Sequence, residues 1–149
     1  MKIAIAADHG GFPLKAELVE LLKQAGHEPI DLGAAEYIAG DDYPDYALLV
    51  GQAVQSKQAE RGIVLCGSGV GACIAANKLK GVRAGVCHDT YSAHQGVEHD
   101  DMNVLCLGAR IVGVEPAKEI VLAYVNAKLN PGEQYQRRLN KVLKIEQEG

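Results

Sequence analysis

Five short apolar runs, each followed by a helical pattern, restrict what this chain can become more than any other feature of it. The runs are KIAIAA (2–7), EPIDL (28–32), GIVLC (62–66), VRAGVC (82–87) and NVLCL (103–107). Their length is that of strands, and their apolar character is that of strands covered on both faces. After the first run, Leu14, Leu18, Leu21, Leu22 and Ala25 recur on one helical face, opened by Pro13 and closed by Gly26. A second helix is expected over 45–56, with Ala47, Leu49, Val50 and Val54 turned inwards. A third runs from the Gly67–Gly71 segment to Lys78, and a short one starts at Asp89. Two more, 114–129 and 134–147, flank the turn Asn130-Pro131-Gly132. Strands alternating with helices require crossover connections, and those make a parallel sheet. The expected fold is therefore a three-layer α/β/α domain. Its five-stranded parallel Rossmann-like sheet carries helices on both faces and a C-terminal helix. Pro29 assigns the second strand to a sheet edge. No internal repeat or linker divides residues 1–149, so one domain is expected.

Composition excludes several classes of function. With no Trp and one Phe, the core must be built from Val, Ile, Leu and Ala. A net charge of −4 disfavours a nucleic-acid or anionic-membrane binder, which needs a basic stripe. A small anion held by a few local cations stays possible. No apolar run approaches the ~18 residues of a membrane span. The MKIAIAADHGG start is too short in its apolar part for a secretory signal. Cysteines 66, 73, 87 and 106 form no C-x-x-C pair, and read as reduced thiols of a cytoplasmic protein.

In open parallel sheets, ligands bind beyond the carboxyl ends of the strands. Three segments lie there: Asp8-His9, Cys66 to Gly71, and Cys87-His88-Asp89. The glycines of Gly67-Ser68-Gly69-Val70-Gly71 let backbone approach a ligand, and the helix that follows offers free N–H groups. A Walker A loop fails, because Ala72 and Cys73 stand where Gly and Lys are required. A dinucleotide pattern fits Gly67, Gly69 and Ala72, with Asp89 farther on, but no substrate domain follows. An anion hole and a plain tight turn both remain open. Cys66 precedes the turn, where a thiol can serve as base or nucleophile or stay an inert core residue. Phosphatase chemistry is excluded, since Ala72 occupies the required Arg position. Asp8-His9, His88-Asp89 and His99-Asp100-Asp101 offer metal-ligand types, but neighbours in sequence diverge, and Asp89 suits a helix N-cap. His27 and His94 are expected to be solvated. Arg137, Arg138, Lys141 and Lys144 read as a wet helix face or, with Arg110, as phosphate contacts.

Taken together, IAxAADHGGFxLK (3–15), DYPDYA (42–47), GIVLCGSGVGACIAANKLKGVRAGVC (62–87), HDDMNVLCLGARIVG (99–113) and QRRLNKV (136–142) resemble the B-type ribose-5-phosphate isomerase family. That family includes galactose-6-phosphate and allose-6-phosphate isomerases. The resemblance implies aldose–ketose isomerisation of a sugar phosphate through a cis-enediolate, with no metal and no cofactor. It implies that Cys66 moves the proton between C1 and C2. Ser68 and the backbone of Gly67, Gly69, Val70 and Gly71 hold the enediolate oxygens. Asp8 and His99 open the sugar ring. His9, Arg110 and Arg138 bind phosphate, and Tyr43 lines the sugar pocket. It further implies a homodimer or dimer of dimers with sites shared between subunits. The chain departs from the family pattern where Asp100 replaces Asn, and where Gln134 and Tyr135 replace an Arg and a His. Both departures bear on which sugar is taken, with a 6-phosphohexose or an unphosphorylated sugar as alternatives. A non-catalytic flavodoxin-like phosphate- or nucleotide-binding domain is the rival from another class.

Overall fold

A computed structural model describes all of Met1–Gly149. Strands β1 (Lys2–Ala7), β2 (Glu28–Asp31), β3 (Arg61–Cys66), β4 (Ala84–Val86) and β5 (Val104–Gly108) form one sheet in the order β2-β1-β3-β5-β4. Every pairing is parallel. The helices are α1 (Phe12–Gln24), α2 (Tyr43–Gln55), α3 (Val70–Ala76), α4 (Thr90–Asp100), α5 (Val114–Asn126) and α6 (Glu133–Glu148). The three-layer parallel architecture is the expected one. β2 lies at an edge, where Pro29 lacks no ladder partner on its open side.

Alternate residues of the central strands feed two cores. Ile3, Ile5, Ile63, Leu65, Leu105 and Leu107 face α1, α4 and α5. Ala4, Ala6, Val64, Val104 and Cys106 face α2 and α3. The second face is built from smaller side chains, so α2 lies close over β1 and β3. Tyr124 of α5 is fully buried, and its hydroxyl donates to the Gly62 carbonyl at 3.2 Å. That bond satisfies the polar tip of an otherwise apolar residue.

Several boundaries differ from the sequence reading. β4 is confined to Ala84–Val86, and α3 stops at Ala76 instead of Lys78 because residues 77–81 turn. α5 ends at Asn126, not 129. Leu49, expected inside, is 42% exposed, whereas Ala47, Val50 and Val54 are buried. Spacings of three and then four residues put those partners on the sheet side, and Leu49 falls off that arc. Gly26 does close α1, with φ +85° just past the Ala25 cap.

The order β2-β1-β3 reverses direction between β1 and β3, and α1 and α2 cover opposite faces. Loops after these two strands therefore diverge and leave a crevice at their carboxyl ends.

Candidate active site

β1 delivers Asp8 and His9 to this crevice, and β3 delivers Cys66. Asp8 is 5% exposed. Its N–H donates to the Leu65 carbonyl at 3.2 Å, tying it to β3. Its carboxylate accepts the Gly11 N–H at 3.1 Å, and its carbonyl accepts the Phe12 N–H at 2.8 Å. The turn into α1 thus fixes the carboxylate from both sides.

Cys66 is also 5% exposed, and its Sγ accepts the Gly69 N–H at 3.0 Å. Gly69 has φ +80°, a conformation L side chains rarely take. That conformation folds the loop back over the sulfur. The N–H groups of Gly67 and Ser68 find no partner within the chain. Two free donors beside a thiol are suited to negative charge on a bound oxygen. Ser68 is exposed, and its Oγ accepts the Val70 N–H at 3.3 Å.

β5 supports the loop from beneath. Ala109 donates to the Cys66 carbonyl at 2.9 Å, and Arg110 to the Gly67 carbonyl at 3.1 Å. These bonds bring the Arg110 guanidinium beside Gly67. Tyr43, the first residue of α2, packs its ring on Gly71, so closely that a Cβ there would lie 2.7 Å from the ring.

Asp8, His9, Tyr43, Cys66, Gly67, Ser68, Gly71 and Arg110 line one cavity of about 410 Å³, with Gly10 and Ile111. Gly69 and Val70 shape its loop without lining it. Four other residues singled out from the sequence lie elsewhere in the chain. His99 and Asp100 end α4, just before β5 begins at Val104. Val104 pairs with Gly62, whereas Cys66 pairs with Gly108. His99 therefore belongs to the amino edge of the sheet, ~13 Å or more below Cys66 at strand rise. Gln134 and Arg138 are exposed on α6. Their neighbour Tyr135 stacks on His99, with ring centroids 4.5 Å apart.

The remaining acid–histidine pairs resolve into separate structural roles. Asp89 caps α4, accepting the Ser92 N–H at 2.6 Å. His88 Nε2 accepts the Gly108 N–H at 3.0 Å, at the foot of the loop. His94 pairs with Glu98, and His27 meets the N-terminal amine. Burial, that amine and Arg61 hold His27 below the ordinary imidazole value. Asp8, His9 and Asp41 bring one ligand-type atom each within 4.8 Å of one another. His9 Nδ1 is already committed to Asp41 Oδ1, 2.9 Å away. Asp41 escaped the sequence reading, because a loop acidic residue in Gly40-Asp41-Asp42 carries no periodic signal, and Tyr46 enters it only as part of the DYPDYA segment, with no role of its own.

No helix is long and apolar enough to cross a membrane. The family model described as Ribose/Galactose Isomerase matches residues 3–142. Ribose-5-phosphate isomerase B of Escherichia coli is 46% identical, covering 98% of this chain and 97% of that protein. The Clostridium thermocellum ribose-5-phosphate isomerase B structure superposes with a TM-score of 0.95 at 44% identity, covering 99% of both chains. The Mycoplasma genitalium enzyme, solved with bound ribulose 5-phosphate, gives a TM-score of 0.93 at 40% identity, covering 99% of this chain and 97% of that one. A match of this extent, over a cavity that joins a thiol to unpaired backbone donors, means that the chain belongs to the ribose/galactose isomerase family.

Proposed function

We propose that the protein interconverts ribose 5-phosphate and ribulose 5-phosphate by proton transfer through a cis-enediolate, with Cys66 as the base. The observation that carries this reading is the Cys66 sulfur receiving the Gly69 N–H at 3.0 Å, next to the free N–H groups of Gly67 and Ser68. Sulfur takes the proton from one carbon and returns it to the next. The loop donors meet the oxygens on which negative charge develops, so they bind the enediolate better than the sugar. Asp8, buried and anchored, exchanges a proton with the ring oxygen or hydroxyl during ring opening. Arg110 and His9 hold the phosphate, and Tyr43 borders the sugar.

In this reading, His99, Asp100, Gln134 and Arg138 reach a cavity belonging to a second copy of the chain. Within one chain, His99 and Cys66 sit at opposite edges of the sheet, which favours supply from outside. Leu48, Leu49, Val70 and Ile74 are 42–58% exposed on α2 and α3, beside the cavity, and supply an apolar surface for that copy. Gln134 can donate a neutral amide hydrogen bond, weaker than a guanidinium fork. The assembly is a dimer or a dimer of dimers.

Complementation tests both parts. Cys66→Ala and His99→Ala should each abolish isomerisation of ribose 5-phosphate. Dissociating, mixing and reassociating the two at equal amounts should restore about a quarter of wild-type activity, because half of random dimers are hybrids with one intact site of two. Near-normal turnover of Cys66→Ala refutes the base. Hybrids that form without activity refute the shared site.

A further inference from the structure

Asp41 stands on the loop between β2 and α2, outside the cavity described above, and grips a residue that lines it. Its Oδ1 accepts the His9 backbone N–H at 2.7 Å and meets His9 Nδ1 at 2.9 Å. Its Oδ2 accepts the Tyr46 hydroxyl at 2.9 Å. The Asp41 side chain is only 10% exposed, the His9 side chain 30%. Both carboxylate oxygens are thus engaged, and two of the three contacts converge on one histidine.

The loop is itself fastened to the end of β1. Ala7 donates to the Gly33 carbonyl at 2.8 Å, and Ala34 donates back to the Ala7 carbonyl at 3.0 Å. Buried Lys15 donates to the Ala34 carbonyl at 2.6 Å and to Asp31 at 2.7 Å. Asp41 therefore approaches His9 from a frame anchored to the strand that carries His9.

Burial acts to raise the Asp41 carboxyl, but the His9 N–H, the His9 ring and the Tyr46 hydroxyl outweigh it and hold the group below the ordinary value of 3.8. Asp41 is accordingly a carboxylate, and a carboxylate only accepts hydrogen bonds. His9 Nδ1 must therefore carry a hydrogen, and Nε2 is the nitrogen left for the cavity; it can donate to a phosphate oxygen only when it carries a hydrogen as well, in the imidazolium.

We propose that Asp41, backed by Tyr46, is the positioning residue of this site: it holds the Nδ1–H of the His9 imidazolium and aims the Nε2–H at the phosphate of the substrate. This rests on the phosphate role given to His9 above. The backbone bond fixes the position of His9, the ring bond fixes its plane, and Tyr46 keeps the carboxylate from rotating away. Asp41 acts through His9 and does not touch the substrate.

The test is a double-mutant cycle with ribose 5-phosphate on the full chain, using Asp41→Asn, Tyr46→Phe, His9→Asn and the Asp41→Asn/His9→Asn pair. Asp41→Asn should lower kcat/KM by about tenfold or more, mainly through KM, because the phosphate grip is misplaced. Tyr46→Phe should do the same to a smaller degree. In the His9→Asn background, Asp41→Asn should cost nothing further, since residues acting as one unit are not additive. In ¹⁵N spectra at saturating ribose 5-phosphate, both ring nitrogens of His9 should carry hydrogens in the wild type, and Asp41→Asn should lose that doubly protonated form. The proposal is overturned if Asp41→Asn stays within twofold of wild type while His9→Asn is impaired, or if the two losses multiply. A fully active His9→Asn enzyme removes the phosphate role from His9. The ring hydrogens then still decide, and an unchanged His9 spectrum in Asp41→Asn refutes the positioning.

Discussion

Gly108→Ala separates the support of the anion loop from general stability. Gly108 ends β5 directly beneath Ser68, and a Cβ built on it would lie 2.6 Å from the Ser68 carbonyl carbon and 2.7 Å from its Cα and oxygen. Ordinary contact begins at 3.4 Å, so the loop must move by about 0.8 Å. The obstacle is backbone, and no flexible side chain can swing away. Overpacking of this kind costs about 1–3 kcal/mol. For a chain of this length that lowers Tm by roughly 2–12 °C. The loop also carries the free N–H groups of Gly67 and Ser68 and the Gly69 N–H on Cys66. A displacement approaching 1 Å should lower kcat/KM by about 100-fold. Gly26→Ala is the control. Gly26 has φ +85° and nothing within 4 Å of its would-be Cβ. Its substitution should cost about 1–2 kcal/mol by backbone strain alone and leave kcat unchanged. Calorimetry and a ribulose-forming assay on both variants decide the matter. If Gly108→Ala loses stability like Gly26→Ala yet keeps activity within twofold, β5 does not set the loop geometry, and the reasoning fails.

Two further outcomes follow from titrating groups. Asp41 is held below its ordinary value, so its bonds contribute stability fully above about pH 3.8 and lose it as pH falls through the lower folded value. The Tm difference between wild type and Asp41→Asn should therefore be full at neutral pH and close in acid; a pH-independent difference contradicts this. Among the thiols, the Cys106 hydrogen bond lowers Cys73 to about 7, while burial and Asp89 push Cys87 up to about 11. Iodoacetamide near neutral pH should label Cys73 well before Cys87, with peptide mass spectrometry as the readout, and equal rates refute the ordering.

The alternation of short apolar runs with helical faces determined the parallel three-layer fold, because strands of that kind can be covered only by crossover helices. Pro29 marked an edge strand and Asp89 a helix cap, since both act through local backbone chemistry. The cavity-lining segments Asp8-His9 and Cys66–Gly71 were legible for the same reason: carboxyl ends of parallel strands are where ligands go. Strand order was decided in three dimensions. β5, buried at every residue, took a central place beside β3, while the three-residue, half-exposed β4 went to the edge. That is a competition for burial between runs of similar composition. Leu49 reads as apolar in the sequence, yet the helical period sets it away from Ala47, Val50 and Val54, and once those three face the sheet it lies exposed. The pairing of Asp41 with His9 joins residues 32 apart through a loop of no periodicity, and depends on how that loop is tied to β1. His99 and Cys66 look like partners in the sequence; α4 runs back along the sheet and sets them at opposite edges, because a parallel crossover must return to the amino end before the next strand begins.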